Sequence, residues 1–162
     1  MTRSLAALAG ALMTVTLYAQ EPPVLPTQAE TLEKWPWSIS VQTAPFRRDA
    51  IEIKLAPQEG MEYKYRLNES AGMLYSWTST GEVHWELHSQ PDGAPKGYAE
   101  FFDTAAGSAS QGVYNAPFTG IHGWWWENKS DRDVTITLST AGFYTESHEF
   151  RHGQPVKITP ID

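Results

Sequence analysis

The chain has 162 residues, 41% of them hydrophobic and 19% charged, with a formal net charge of −7 and no cysteine. That length suits one domain, and the balance is that of a folded chain rather than a disordered one. The acidic charge disfavours a nucleic-acid partner, which needs a basic footprint, and the missing cysteines exclude disulfides, thiolate metal sites and cysteine nucleophiles.

Arg3, an uncharged apolar run over residues 5–17 and the small Ala19 form the pattern of a secretory signal peptide over residues 1–19. The run falls short of the roughly 20 apolar residues that span a bilayer. The expectation is therefore an exported chain, periplasmic or secreted, with no integral span after cleavage; a retained anchor is the alternative. Residues 20–37 hold Pro22, Pro23 and Pro26 and read as a Pro-rich linker, with a turn of helix over residues 28–33. Pro36 holds Trp35 and Trp37 extended, and the pair reads as a plug at one end of a core.

Residues 38–162 read as strands with little room for helix. Residues 38–41 are a short candidate. Ile51, Ile53 and Leu55 alternate with Glu52 and Lys54, and Met61, Tyr63, Tyr65 and Leu67 with Glu62, Lys64 and Arg66. Met73, Tyr75 and Trp77 form a third alternating run, and Val83, Trp85 and Leu87 a fourth, separated by a turn at Thr80-Gly81. Residues 98–102 suggest an edge strand, and the small polar residues 104–112 an exposed, mobile loop. Gly120 to Leu138 reads as one β-hairpin. Its aromatic strand runs to Glu127, and Val134 to Leu138 returns after a polar turn. Neighbouring strand side chains point to opposite faces, so Trp124 and Trp126 share a face with His122 and Trp125 takes the other. Residues 142–150 and 156–158 complete the count. Strands at this spacing suggest an all-β antiparallel fold, either a sandwich with jelly-roll-like character or a barrel.

Four stretches carry a family resemblance: Ile51 to Pro57 with Gly60 and the tyrosine strand; Ala71 to Trp77; Val83 to His88 running to Pro91-Asp92-Gly93; and the Trp-rich strand with Asn128, Ser130 and the Val134 strand. Together they resemble the GOLD-type β-sandwich of p24/emp24 cargo proteins. More closely they resemble small, largely uncharacterised exported bacterial proteins often labelled as membrane anchors, through Tyr75-Ser76-Trp77, Leu87-His88 and His122-Gly123-Trp124 to Asn128. The resemblance spans residues 51–144 and implies the sandwich and an interaction role. The p24 cysteine pair, coiled coil and membrane span are missing, so the trafficking role does not carry over.

Residues 84–88 place His84, Glu86 and His88 on one side of a strand. Four strand residues span about 13 Å, too far for two imidazoles on one metal. A copper or zinc site would combine His88 and Glu86 with His122 from a neighbouring strand. His88 and His122 equally suit backbone hydrogen bonds at turns. No Gly-x-Ser-x-Gly elbow, phosphate loop or dinucleotide fingerprint occurs, so no enzyme is expected. Seven Trp and seven Tyr suggest stacking or docking surfaces, with Tyr75, Trp124, Trp125 and Trp126 as binding candidates beside His88 and His122. The leading expectation is a non-catalytic interaction module, an accessory to an envelope complex. A periplasmic metal-binding protein and a carbohydrate-binding domain are the alternatives.

Overall fold

The computed structural model describes residues 25–36 and 38–162. The expected signal peptide and Trp37 lie outside the described residues. Contacts divide the chain into two units after Ser38. In the first, helix α1 (Gln28–Lys34) starts at a capping box: the Thr27 hydroxyl accepts from the Glu30 amide, and the Glu30 carboxylate accepts from the Thr27 amide at 2.7 Å. Among the described residues no helix is long and apolar enough to cross a membrane.

The second unit carries β1 (Arg47–Leu55), β2 (Gly60–Leu67), β3 (Gly72–Pro91), β4 (Glu100–Asn115), β5 (Gly120–Glu127), β6 (Val134–Gly142), β7 (Tyr144–Arg151) and β8 (Lys157–Pro160). All pair antiparallel in the order β1-β6-β3-β5-β2-β7-β8, with β4 also on β3. At 20 residues, β3 extends about 65 Å. Its first half pairs with β6 and its second half with β5, and its register to β4 shifts between Thr78 and Val83. The sheet curls at this shift into two leaves. The first is β1, β6 and the start of β3; the second is the end of β3 with β5, β2, β7 and β8. The result is an all-β antiparallel sandwich folded from one sheet.

Period-2 alternation fills the space between the leaves. The register pairs Leu55 with Val134 and Ile53 with Ile136, all buried. Trp77 meets Trp85 and Trp126 edge-on, each at 5.8 Å. Polar bonds also cross between the leaves: the Tyr65 hydroxyl donates to Asp49 at 2.8 Å, and the Thr140 and Tyr144 hydroxyls lie 2.9 Å apart.

Four expectations need correction. Residues 38–41 form no strand; Ile39 and Val41 are exposed. Thr80-Gly81 does not reverse the chain. The small Gly81 lets Val134 pack close, and β3 bends through it. The expected loop at 104–112 is the middle of β4, where backbone pairing with β3 makes the strand without apolar alternation. Finally, β5 and β6 are no hairpin. They run one after the other along β3, one in each leaf.

Asn128 explains that last difference. Its buried amide donates to the carbonyls of Leu55, Ala56 and Arg132 at 3.2, 3.0 and 2.7 Å, and its oxygen accepts from the Ser130 amide and hydroxyl. This clamp directs the chain from one leaf to the other. Asn128→Ala leaves these carbonyls, that of buried Leu55 among them, short of donors and should cost about 2 kcal/mol in urea unfolding.

Candidate functional site

The outer face of the second leaf gathers most of the chemistry. The register sets two rows across β2, β5 and β3. Glu62, Trp125 and Glu86 form one; Lys64, Gly123 and His88 form the next. Gly123 has no side chain, so Lys64 reaches across β5 to His88. A Cβ at Gly123 would stand 2.2 Å from the Tyr63 carbonyl oxygen, so the close approach itself requires glycine.

Lys64 is 0% exposed. Its Nζ lies 2.5 Å from Glu62 Oε2 and 2.8 Å from His88 Nε2, and 5.7 Å above the Phe150 ring. Burial pushes the Glu62 carboxyl up, but the Lys64 ammonium bonded to it more than offsets that and holds the acid well below its ordinary value of 4.5. Burial pushes the Lys64 ammonium down, with Glu62 and Glu86 pulling against that shift. Lys64→Met should therefore raise the Glu62 carboxyl toward its ordinary value of 4.5, read by NMR titration of the carboxyl. A carboxyl that titrates in the variant as it does in the wild type would show that Lys64 does not hold it down.

An ammonium only donates, so His88 Nε2 accepts and the neutral ring carries its proton on Nδ1. That Nδ1 is buried without a hydrogen-bond partner; Glu86 Oε2 lies 3.7 Å away, beyond bonding range. The Phe101 ring stacks on the imidazole at 5.2 Å. Above it opens a cavity of about 330 Å³ lined by Glu62, Glu86, His88, Gln90, Phe101 and Trp125, among others.

No family model matches this chain, and no curated protein matches it.

The structure separates the expected metal donors. Gly123 pairs with His88 and points outward with it, so His122, one residue earlier, faces between the leaves. His88 and His122 therefore lie on opposite sides of the sheet, and the His88–Glu86–His122 set does not assemble. Among the described residues no group of three or more His, Asp or Glu is placed to hold a metal.

The alternation expected of the Trp run is present. Trp124 and Trp126 are wholly buried with His122, while Trp125 stands half-buried on the outer face. Of the binding candidates, His122, Trp124 and Trp126 are thus core residues, and Tyr75 packs on Trp124 at 4.9 Å. Only His88 and Trp125 line the outer cavity. Lys64 and Glu62 were missed because charged residues alternating with Tyr63 and Tyr65 look like a solvated face. The one signal, a glycine opposite Lys64, requires knowing the register.

His122 ends a buried chain of hydrogen bonds. Its Nε2–H donates to the Phe118 carbonyl at 3.0 Å, so its Nδ1 accepts from the Tyr114 hydroxyl at 2.9 Å, and Ser89 in turn donates to Tyr114 at 3.1 Å. Every member is satisfied, which suits a structural role.

Proposed function

We propose that this chain is an exported, non-catalytic binding module that accepts an extended segment of an envelope protein along the open edge of β4. The single observation that carries this is the contrast among the sheet's three open edges. β1 holds Arg47, Arg48, Asp49, Glu52 and Lys54 in nine residues, and β8 is four residues long with Lys157 and Pro160. Charge, brevity and proline are the usual guards of an edge. β4 has none of them past Asp103: residues 104–115 hold no charge and no proline, and no described strand pairs with their outer side. At 16 residues the strand offers about 50 Å of unmet backbone donors and acceptors.

The GOLD-like resemblance agrees with an interaction role. A second copy is the less favoured occupant, because each copy brings a net charge of −7. The test is photo-crosslinking of the full chain in its native envelope from Ser108 on β4 and from Glu52 on β1. Crosslinks to another protein from Ser108 alone, lost in Ala106→Lys/Ser110→Lys, support the proposal. Crosslinks to a second copy, or equally from Glu52, overturn it.

A further inference from the structure

We infer that the outer face of the second leaf is a separate binding site for a neutral oligosaccharide, with a pyranose ring stacked on Trp125. It does not depend on the β4 edge.

The His88 Nδ1–H is a buried donor without a hydrogen-bonded acceptor, a costly arrangement that a ligand oxygen would relieve. The residue is 5% exposed and forms part of the cavity wall. The donor is not free to rearrange, because the Lys64 ammonium occupies Nε2 and fixes the tautomer. Around it stand acceptors. Glu62 is held ionised, and Glu86 Oε2 stands 3.7 Å from His88 Nδ1, just beyond bonding range; both carboxylates reach the same cavity. The third component is apolar. Trp125 lies between these two carboxylates in the register, and Phe101 covers the imidazole.

Each ligand class meets these three requirements differently. An anion accepts from Nδ1–H but faces two carboxylates. An organic cation suits the carboxylates and the aromatic rings but meets the imidazole N–H with no acceptor to offer. A metal ion would compete with Lys64 for the carboxylate of Glu62 and the only imidazole nitrogen turned toward it. A sugar hydroxyl both donates and accepts, so adjacent hydroxyls satisfy Nδ1–H and a carboxylate together. The C–H face of the ring then covers the indole.

The surroundings indicate more than one sugar unit. A second cavity of about 280 Å³ lies on the other side of Trp125, lined by Gly60, Glu62, Phe150, Arg151 and His152 among others. Glu62 and Trp125 belong to both cavities. The Trp125 indole also lies close over Gly60, where an added Cβ would come within 3.1 Å of its Nε1. Glycine there lets the ring lie low along the sheet, with a cavity at either end. A chain of two or more units can pass across it.

The test is calorimetry and saturation-transfer NMR on the full chain with glucose-, mannose- and N-acetylglucosamine-based oligosaccharides of one to four units. Spermidine and citrate serve as cationic and anionic comparators. The expected result is Trp125-dependent binding of at least one neutral series, with the two-unit sugar roughly tenfold tighter than the one-unit sugar. Trp125→Ala and Glu86→Gln should each weaken it by about tenfold or more. Trp125→Phe keeps an aromatic face and should lose less, which separates stacking from misfolding. Absence of binding across all three series, binding unchanged in Trp125→Ala, or tighter binding of spermidine or citrate would each overturn the inference.

Discussion

Trp126→Ala should lower the free energy of unfolding by about 4 kcal/mol, while Trp125→Ala, one residue away, should cost about 1 kcal/mol. Trp126 is wholly buried. Its ring meets Trp77 edge-on and Trp124 nearly parallel, each at 5.8 Å, and its neighbours in the register are Met61 and Trp85. Truncation opens a cavity where the two leaves meet, and strands paired on both sides cannot collapse into it. Trp126→Phe should cost much less than the alanine change, because it also removes an indole N–H that has no acceptor. Trp125 sits on the other face, half in water. Urea unfolding of the three variants checks the contrast; equal losses for the two alanine variants would contradict the facing of the strand.

That contrast is legible in the sequence, because alternation is a local property of an extended chain. The same holds for Ile53 and Leu55, or Val134, Ile136 and Leu138, whose buried side follows from the period-2 order of apolar and polar residues. Partners are not local. Whether β5 and β6 pair with each other or with β3 depends on how Asn128 ties the carbonyl of Arg132 in its own turn to the distant carbonyls of Leu55 and Ala56, and the polar turn reads alike in both cases. β4 was illegible for a different reason. Its residues 104–112 are small and polar, and the strand exists because β3 offers a full ladder, not because its side chains need burial. The site followed the same rule. His88 and Trp125 stood out by type, but the separation of His88 from His122, and the reach of Lys64 across Gly123, follow only from the register.

Acidification should remove stability in two successive windows, the first belonging to His122. Burial pushes this imidazole down from 6.5 to about 4. The Phe118 carbonyl opposes the shift, Lys64 and Arg66 add to it, and Asp92 opposes it. Between pH 6.5 and 4 the unfolded chain takes up a proton that the folded chain refuses, so stability falls as pH falls. The loss starts near 6.5 and is complete below about 4. A shift of this size corresponds to about 3 kcal/mol. The hydrogen bonds give the reason in atomic terms: a proton on Nδ1 would displace the one that Tyr114 donates there, and Tyr114 would then turn on Ser89. Glu62 supplies the second window. Its stabilising charge is fully present above 4.5 and is lost as pH falls through about 2. That loss is the smaller one, because its side chain is partly in water. Urea unfolding at pH 7.5, 5, 4 and 2.5 separates the two windows. His122→Gln should flatten the first and leave the second, since glutamine can still donate to Phe118 and accept from Tyr114 without titrating. A wild-type stability unchanged between pH 7.5 and 4 would show that His122 is free to take its proton, and that the network from Ser89 to Phe118 is not closed.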